Sequence, residues 1–236
     1  MARVRRLVPL VATLVVTAVG AGCAAEPTPS QSSSPAPPSV TASPSAPPSS
    51  SPTAAEPPSA APTRPEPRRS FLTIPRLGLR DYPVIRYRGS PDDAEGTRLQ
   101  NDGSLASPRG ATGGTVPGEI GNYIVTGHRL SAGGPLRYLP DVSRGDHVLV
   151  TANGQVYDYR ITGTMIISFR SEASKARQTA AVPGHPGRRP TKPMITVSTC
   201  ATLEDHAAGN FWSDENGNPE HRIDKVGVLE SVSPLR

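Results

Sequence analysis

Residues 70–236 are predicted to form an all-β domain, a closed or nearly closed β-barrel of about eight short strands with short helical turns, preceded by a disordered Pro-rich linker. Three observations carry that expectation. Short apolar runs stop at proline or glycine, an Asn-Gly pair joins two of them, and no window of helical length keeps a sustained 3.6-residue apolar repeat.

Taken in order, Phe71-Leu72-Thr73-Ile74 stops at Pro75, and Tyr123-Ile124-Val125 stops before Gly127. His147-Val148-Leu149-Val150 runs into Asn153-Gly154 and resumes as Val156-Tyr157-Asp158-Tyr159-Arg160-Ile161, a two-residue hairpin pattern. Gly163 interrupts the chain before Thr164-Met165-Ile166-Ile167. Met194-Ile195-Thr196-Val197-Ser198 and Lys225-Val226-Gly227-Val228-Leu229 complete the set. Residues 135–142 are read as at most a turn or two of helix.

The chain has 236 residues and 28 prolines, 14 of which fall within residues 26–69, a stretch made almost wholly of Pro, Ser, Ala and Thr and without Leu, Ile or aromatics. Such a segment cannot bury enough apolar surface to offset its chain entropy, so it is expected to be a spacer. In polyproline II conformation, at about 3 Å per residue, it would reach on the order of 100 Å. Residues 1–25 read as an export signal, with Arg3, Arg5 and Arg6 ahead of an uncharged run rich in Val, Ala and Leu. Gly20-Ala21-Gly22-Cys23 resembles a bacterial lipoprotein cleavage site, which makes Cys23 a candidate for lipidation; an uncleaved membrane helix is the alternative anchor. The domain is therefore expected outside the cytoplasm, attached to the membrane.

The net charge of +5 lies largely in the signal and the end of the linker. From residue 70 on there are 19 basic and 17 acidic residues, with no basic stripe interleaved with aromatics, so no nucleic-acid partner is expected.

Cys200 is the one cysteine of the domain. A lone thiol in an exported protein is either a buried, inert side chain or a nucleophile, and its place at the end of a strand favours the second. A useful thiolate needs a base or a cation nearby. Five histidines, at positions 128, 147, 185, 206 and 221, are candidates, and spacing alone does not choose among them.

Thr196-Val197-Ser198-Thr199-Cys200, together with the upstream Gly127-His128-Arg129, Pro135-Leu136-Arg137-Tyr138-Leu139 and Gly145-Asp146, resembles the sortases, cysteine transpeptidases of Gram-positive cell surfaces. The start, Leu72-Thr73-Ile74-Pro75-Arg76-Leu77-Gly78-Leu79, is similar to the family's first strand, and the likeness runs over residues 71–229. Tyr157-Asp158-Tyr159-Arg160-Ile161 and the Arg-rich composition look most like the class E sortases of high-GC bacteria.

The resemblance implies Cys200 as nucleophile, His128 as proton shuttle and Arg222 as the cation for the substrate or oxyanion, with Thr199 and Thr196 in contact with substrate. It implies a substrate class as well: secreted proteins with C-terminal sorting signals, cleaved after Thr and passed to an amine acceptor of peptidoglycan or pilin. No cofactor is implied. The departure is the 201–221 insertion, which separates Arg222 from Cys200 by 22 residues. Its Asp214, Asn216, Asn218 and Glu220 alternate as in a calcium loop, but Gly217 is misplaced for an EF-hand, so a turn-rich lid without metal is expected. A non-catalytic surface lipoprotein with the same barrel is the alternative reading. An L,D-transpeptidase is disfavoured, because Cys200 lacks a Ser-His-Gly-Cys context.

Overall fold

The computed structural model describes residues 69–111 and 113–236. The export signal, the lipidation candidate Cys23 and the linker to residue 68 lie outside the described residues. Eight strands close into one barrel in the order β1-β2-β3-β4-β7-β8-β6-β5, with β5 pairing back to β1. They are β1 (Arg69–Ile74), β2 (Leu79–Arg88), β3 (Leu105–Arg109), β4 (Gly121–Thr126), β5 (His147–Ala152), β6 (Gln155–Ser168), β7 (Pro193–Cys200) and β8 (His221–Pro234). Closure leaves no unpaired edge in the barrel.

The two strands without a sequence signal, β2 and β3, carry Pro83 and Pro108 inside them, and β2 alternates charges with apolar residues. They run parallel, which requires a crossover, and α1 (Ala94–Asn101) supplies it. The two runs separated by Gly163 are one strand, β6, whose pairing to β8 shifts register between Ile161 and Gly163. The hairpin at Asn153-Gly154 forms as read, with both residues at positive φ, 50° and 70°, as a type I′ turn needs.

Three short helices, α1, α2 (Glu172–Thr179) and α3 (Thr202–Ala207), lack an apolar repeat because they lie on the barrel instead of filling its core. Capping defines the first two: Asp93 accepts from Gly96 N and Ser171 from Ser174 N. Residues 135–142 hold only a 3-10 turn, Leu139–Asp141. The interior is filled by Leu72, Ile74, Leu105, Tyr123, Val125, Tyr159, Ile195 and Val197, among others. No helix among the described residues is long and apolar enough to cross a membrane.

β4, β7 and β8 are neighbours, and side-chain alternation divides each between two faces. Tyr123, Val125, Ile195 and Val197 point into the core. The alternating residues Asn122, Thr126, Thr196, Ser198 and Cys200, with Arg222 and Asp224 paired across from Cys200 and Ser198, therefore share the outer face, where they form a polar floor that is nevertheless buried.

Candidate active site

Cys200 is the last residue of β7 and pairs directly with Arg222 of β8. On its other side β4 runs parallel to β7 with Thr126 opposite Ser198, so His128, two residues beyond Thr126, leaves β4 level with Cys200. Gly127 makes that exit possible: a Cβ there would come within 2.3 Å of Leu105 Cδ2 and 2.8 Å of Leu136 Cδ1. The carbonyl of Gly127 is also held by Thr199 Oγ1 at 2.8 Å. Cys200 and His128 line a groove of about 400 Å³ with Asn101 and Arg129; the 201–221 insertion forms the other wall through His206 and Trp212.

The thiol is 8% exposed and is a free cysteine. Burial pushes it up to about 11, against the pull of the Arg222 guanidinium. Burial likewise lowers the His128 imidazole, with Asp92 acting to raise it and Arg222 to lower it. Both shifts favour the uncharged form, of the thiol and of the imidazole alike. The sign follows directly: with the thiol raised, the thiolate fraction keeps growing as pH climbs past the ordinary thiol range. Alkylation of Cys200 by iodoacetamide is expected to gain about tenfold per pH unit from 7 to 9.5 without levelling off. A plateau below pH 9 would show a thiol activated in the resting protein.

Arg222 is wholly buried. Its Nε donates to Asp92 Oδ2 at 2.6 Å, its Nη1 to the Pro219 carbonyl at 2.6 Å, and its guanidinium lies 3.9 Å from the centre of the Phe169 ring. Nη2 has no hydrogen-bond partner. Burial is the largest influence and disfavours its charge, but Asp92, Cys200 and Asp214 together outweigh it and raise the guanidinium further. Asp92 is anchored in turn: Oδ1 accepts from Gln100 Nε2 at 2.9 Å, and its carbonyl accepts from Thr97 Oγ1 and Asn218 Nδ2.

Arg129 of the Gly-His-Arg motif donates to the Cys200 carbonyl at 3.3 Å and pairs with Glu204 of α3 at 3.2 Å, tying the cysteine to the insertion. Beneath the cysteine, Gln178 of α2 donates to Ser198 Oγ and Asp224 Oδ1, each at 3.1 Å. Burial pushes the Asp224 carboxyl up to about 7, although Ser198 and Gln178 favour its charged form.

The structure thus brings Cys200, His128 and Arg222 together, and it departs from expectation at the two threonines. Thr199 is adjacent to Cys200 in a strand, so it faces the opposite side, and its hydroxyl is spent on Gly127. Thr196 shares the cysteine's face but is fully buried and donates to Asn122 Oδ1 at 2.9 Å. Neither lines the groove. Of the other histidines, His206 lines the groove and stacks on Phe211. His147 and His221 are bound to Asp158 and Asp205, and His185 lies at a separate hollow. The insertion is built as a turn-rich wall: Asp214 Oδ1 accepts from the backbone N–H groups of Asn216 and Asn218, closing the loop on itself. Asp92, Gln100 and Asn101 were not legible as site residues, because nothing in their local pattern marks them.

A closed mixed barrel with a cysteine at the end of a strand, flanked by histidine and arginine, brings together a nucleophile, a proton carrier and a cation, the groups that cysteine acyl transfer needs. The Sortase domain family matches residues 72–211, more than half of the chain, and the chain belongs to that family. Sortases are cysteine transpeptidases that act at the cell surface, outside the cytoplasm, on proteins bearing sorting signals. Among solved structures, the SrtA sortase from Actinomyces oris is similar at a TM-score of 0.54 and 18% identity, over 73% of this chain and 85% of that one. Sortase E from Streptomyces avermitilis is similar at 0.50 and 24% identity, over 72% and 91%. Sortase E1 from Streptomyces coelicolor, solved with a tripeptide in its active site, is similar at 0.51 and 20%, over 70% and 90%. These likenesses support the barrel. No curated protein sequence matches the chain.

Proposed function

We propose that this sortase is a membrane-tethered transpeptidase that cleaves Leu-Pro-x-Thr-Gly or Leu-Ala-x-Thr-Gly sorting signals after Thr and transfers the carboxyl end to an amine of peptidoglycan or pilin. The observation that carries the reading is the flanking of one free cysteine by His128 on one neighbouring strand's exit and Arg222 on the other. The Cys200 sulfur attacks the threonine carbonyl carbon while His128 takes the thiol proton. As the tetrahedral intermediate collapses, the C–N bond to glycine breaks, His128 hands that proton to the leaving amine, and a thioester remains. An acceptor amine then loses a proton to His128, displaces the sulfur, and forms the new amide.

Arg222 supplies a fixed cation for the developing oxyanion. Its unpartnered Nη2 supports this role, since a buried donor without an acceptor is costly and a substrate oxygen would satisfy it. The class E character rests on the sequence motifs, and the tether on residues 1–25 with the spacer that follows. Incubating the protein with a Leu-Ala-x-Thr-Gly peptide and an amine acceptor tests the reading. Release of the glycine fragment and formation of the Thr-amine product are expected; hydrolysis or ligation at any other bond would refute it.

A further inference from the structure

Helix α1 ends at the groove, and its last residue, Asn101, brings Oδ1 to 2.7 Å from Nε2 of His128. In this arrangement the Asn101 amide turns its oxygen to the ring, and an amide oxygen can only accept, so the contact is a hydrogen bond when the neutral ring carries its proton on Nε2 and its lone pair on Nδ1. The helix end is fixed to the strand that carries the histidine. Gln100 Nε2, one residue before Asn101, donates to Thr126 Oγ1 at 3.1 Å and to Asp92 Oδ1 at 2.9 Å. Asp92 in turn holds Arg222. One short element therefore contacts His128 directly and Arg222 through Asp92.

We propose that Asn101 is a positioning residue that holds His128 as the Nε2–H tautomer, so that Nδ1 is the nitrogen exchanging protons with the Cys200 sulfur and the substrate amine. The inference rests on the catalytic assignment of His128 and Cys200 made above. In acylation Nδ1 accepts the thiol proton as the S–C bond forms and gives it up as the C–N bond breaks. In the second half it accepts a proton from the incoming amine and returns it to the departing sulfur. The Nε2–H stays donated to Asn101 throughout, and the bond strengthens while the ring is cationic. Burial, Asp92 and Arg222 set the ring's charge balance, and Asn101, being neutral, sets its orientation.

The test uses the full-length chain in detergent micelles with ¹⁵N-labelled histidine, the His128 signals being assigned by their loss in His128→Gln. Wild type at pH 8 is expected to show the Nε2–H tautomer. Asn101→Ala should show a mixture of tautomers and a kcat lower by about tenfold to hundredfold, with KM for the sorting peptide nearly unchanged. Asn101→Asp accepts the same hydrogen bond, so it should keep the tautomer and most of kcat, while its charge moves the His128 titration upward. An Nδ1–H tautomer in wild type, or an Asn101→Ala protein with unaltered tautomer or kcat, overturns the inference. Activity equal in wild type and Cys200→Ala instead overturns the functional reading beneath it, and the tautomer, measured without substrate, tells the two failures apart.

Discussion

Cys200→Ala is expected to abolish transpeptidation, with turnover falling by at least about 10³-fold and the melting temperature little changed. In the proposed mechanism the sulfur is the atom that forms the covalent intermediate, and no second cysteine exists in the domain to replace it. The change removes one atom at a strand end that already borders the groove, so the cavity it leaves adjoins open space and costs little. Peptide turnover and thermal unfolding of the same sample separate chemistry from stability. Residual turnover near wild type would mean that another nucleophile does the work.

Asp92→Ala is expected to be the most damaging change to the fold, at about 3–5 kcal/mol, because it leaves the fully buried Arg222 charge without its partner. The loss has a second source. Asp92 sits at φ 58°, a left-handed conformation that Asp and Asn tolerate and Ala resists. Asp92→Asn keeps the backbone and an acceptor for Nε, so comparing the two variants by urea denaturation isolates the charge from the conformation. A loss under about 1 kcal/mol in both would show that Arg222 is stabilised by the Phe169 ring and the Pro219 carbonyl without the carboxylate.

The barrel was legible where strands carry uninterrupted apolar runs, as in β4, β5 and β7, and where Asn153-Gly154 dictates its own turn. It was illegible in β2 and β3, whose prolines and charges are tolerated because long-range pairing, not local propensity, holds them in the sheet. The trio at the site was legible through motif order. Its support was not: Asp92 lies 130 residues from Arg222 and Asn101 lies 27 from His128, and each contact exists only after the barrel closes. Strand alternation could have corrected one expectation from the sequence, since Thr199 and Cys200 are adjacent residues of one strand and cannot both face the groove.

The polar floor also has a consequence for substrate binding. Arg222 is covered by Asp92 and Phe169, and Gln178 caps Ser198 and Asp224, so the groove open in this structure reaches the cysteine and histidine but stops short of the guanidinium. A sorting peptide that presents an oxygen to Nη2 has to approach it from the cysteine side, or displace the segment that carries Asp92.

The most direct measurement is the intact mass of the protein after exposure to a sorting peptide with no acceptor amine present. A thioester mechanism at Cys200 predicts a mass increase equal to the peptide up to and including its threonine, less one water, mapped to Cys200 and removed by hydroxylamine. An unmodified protein that nonetheless cleaves the peptide, or an adduct at any other residue, would contradict it.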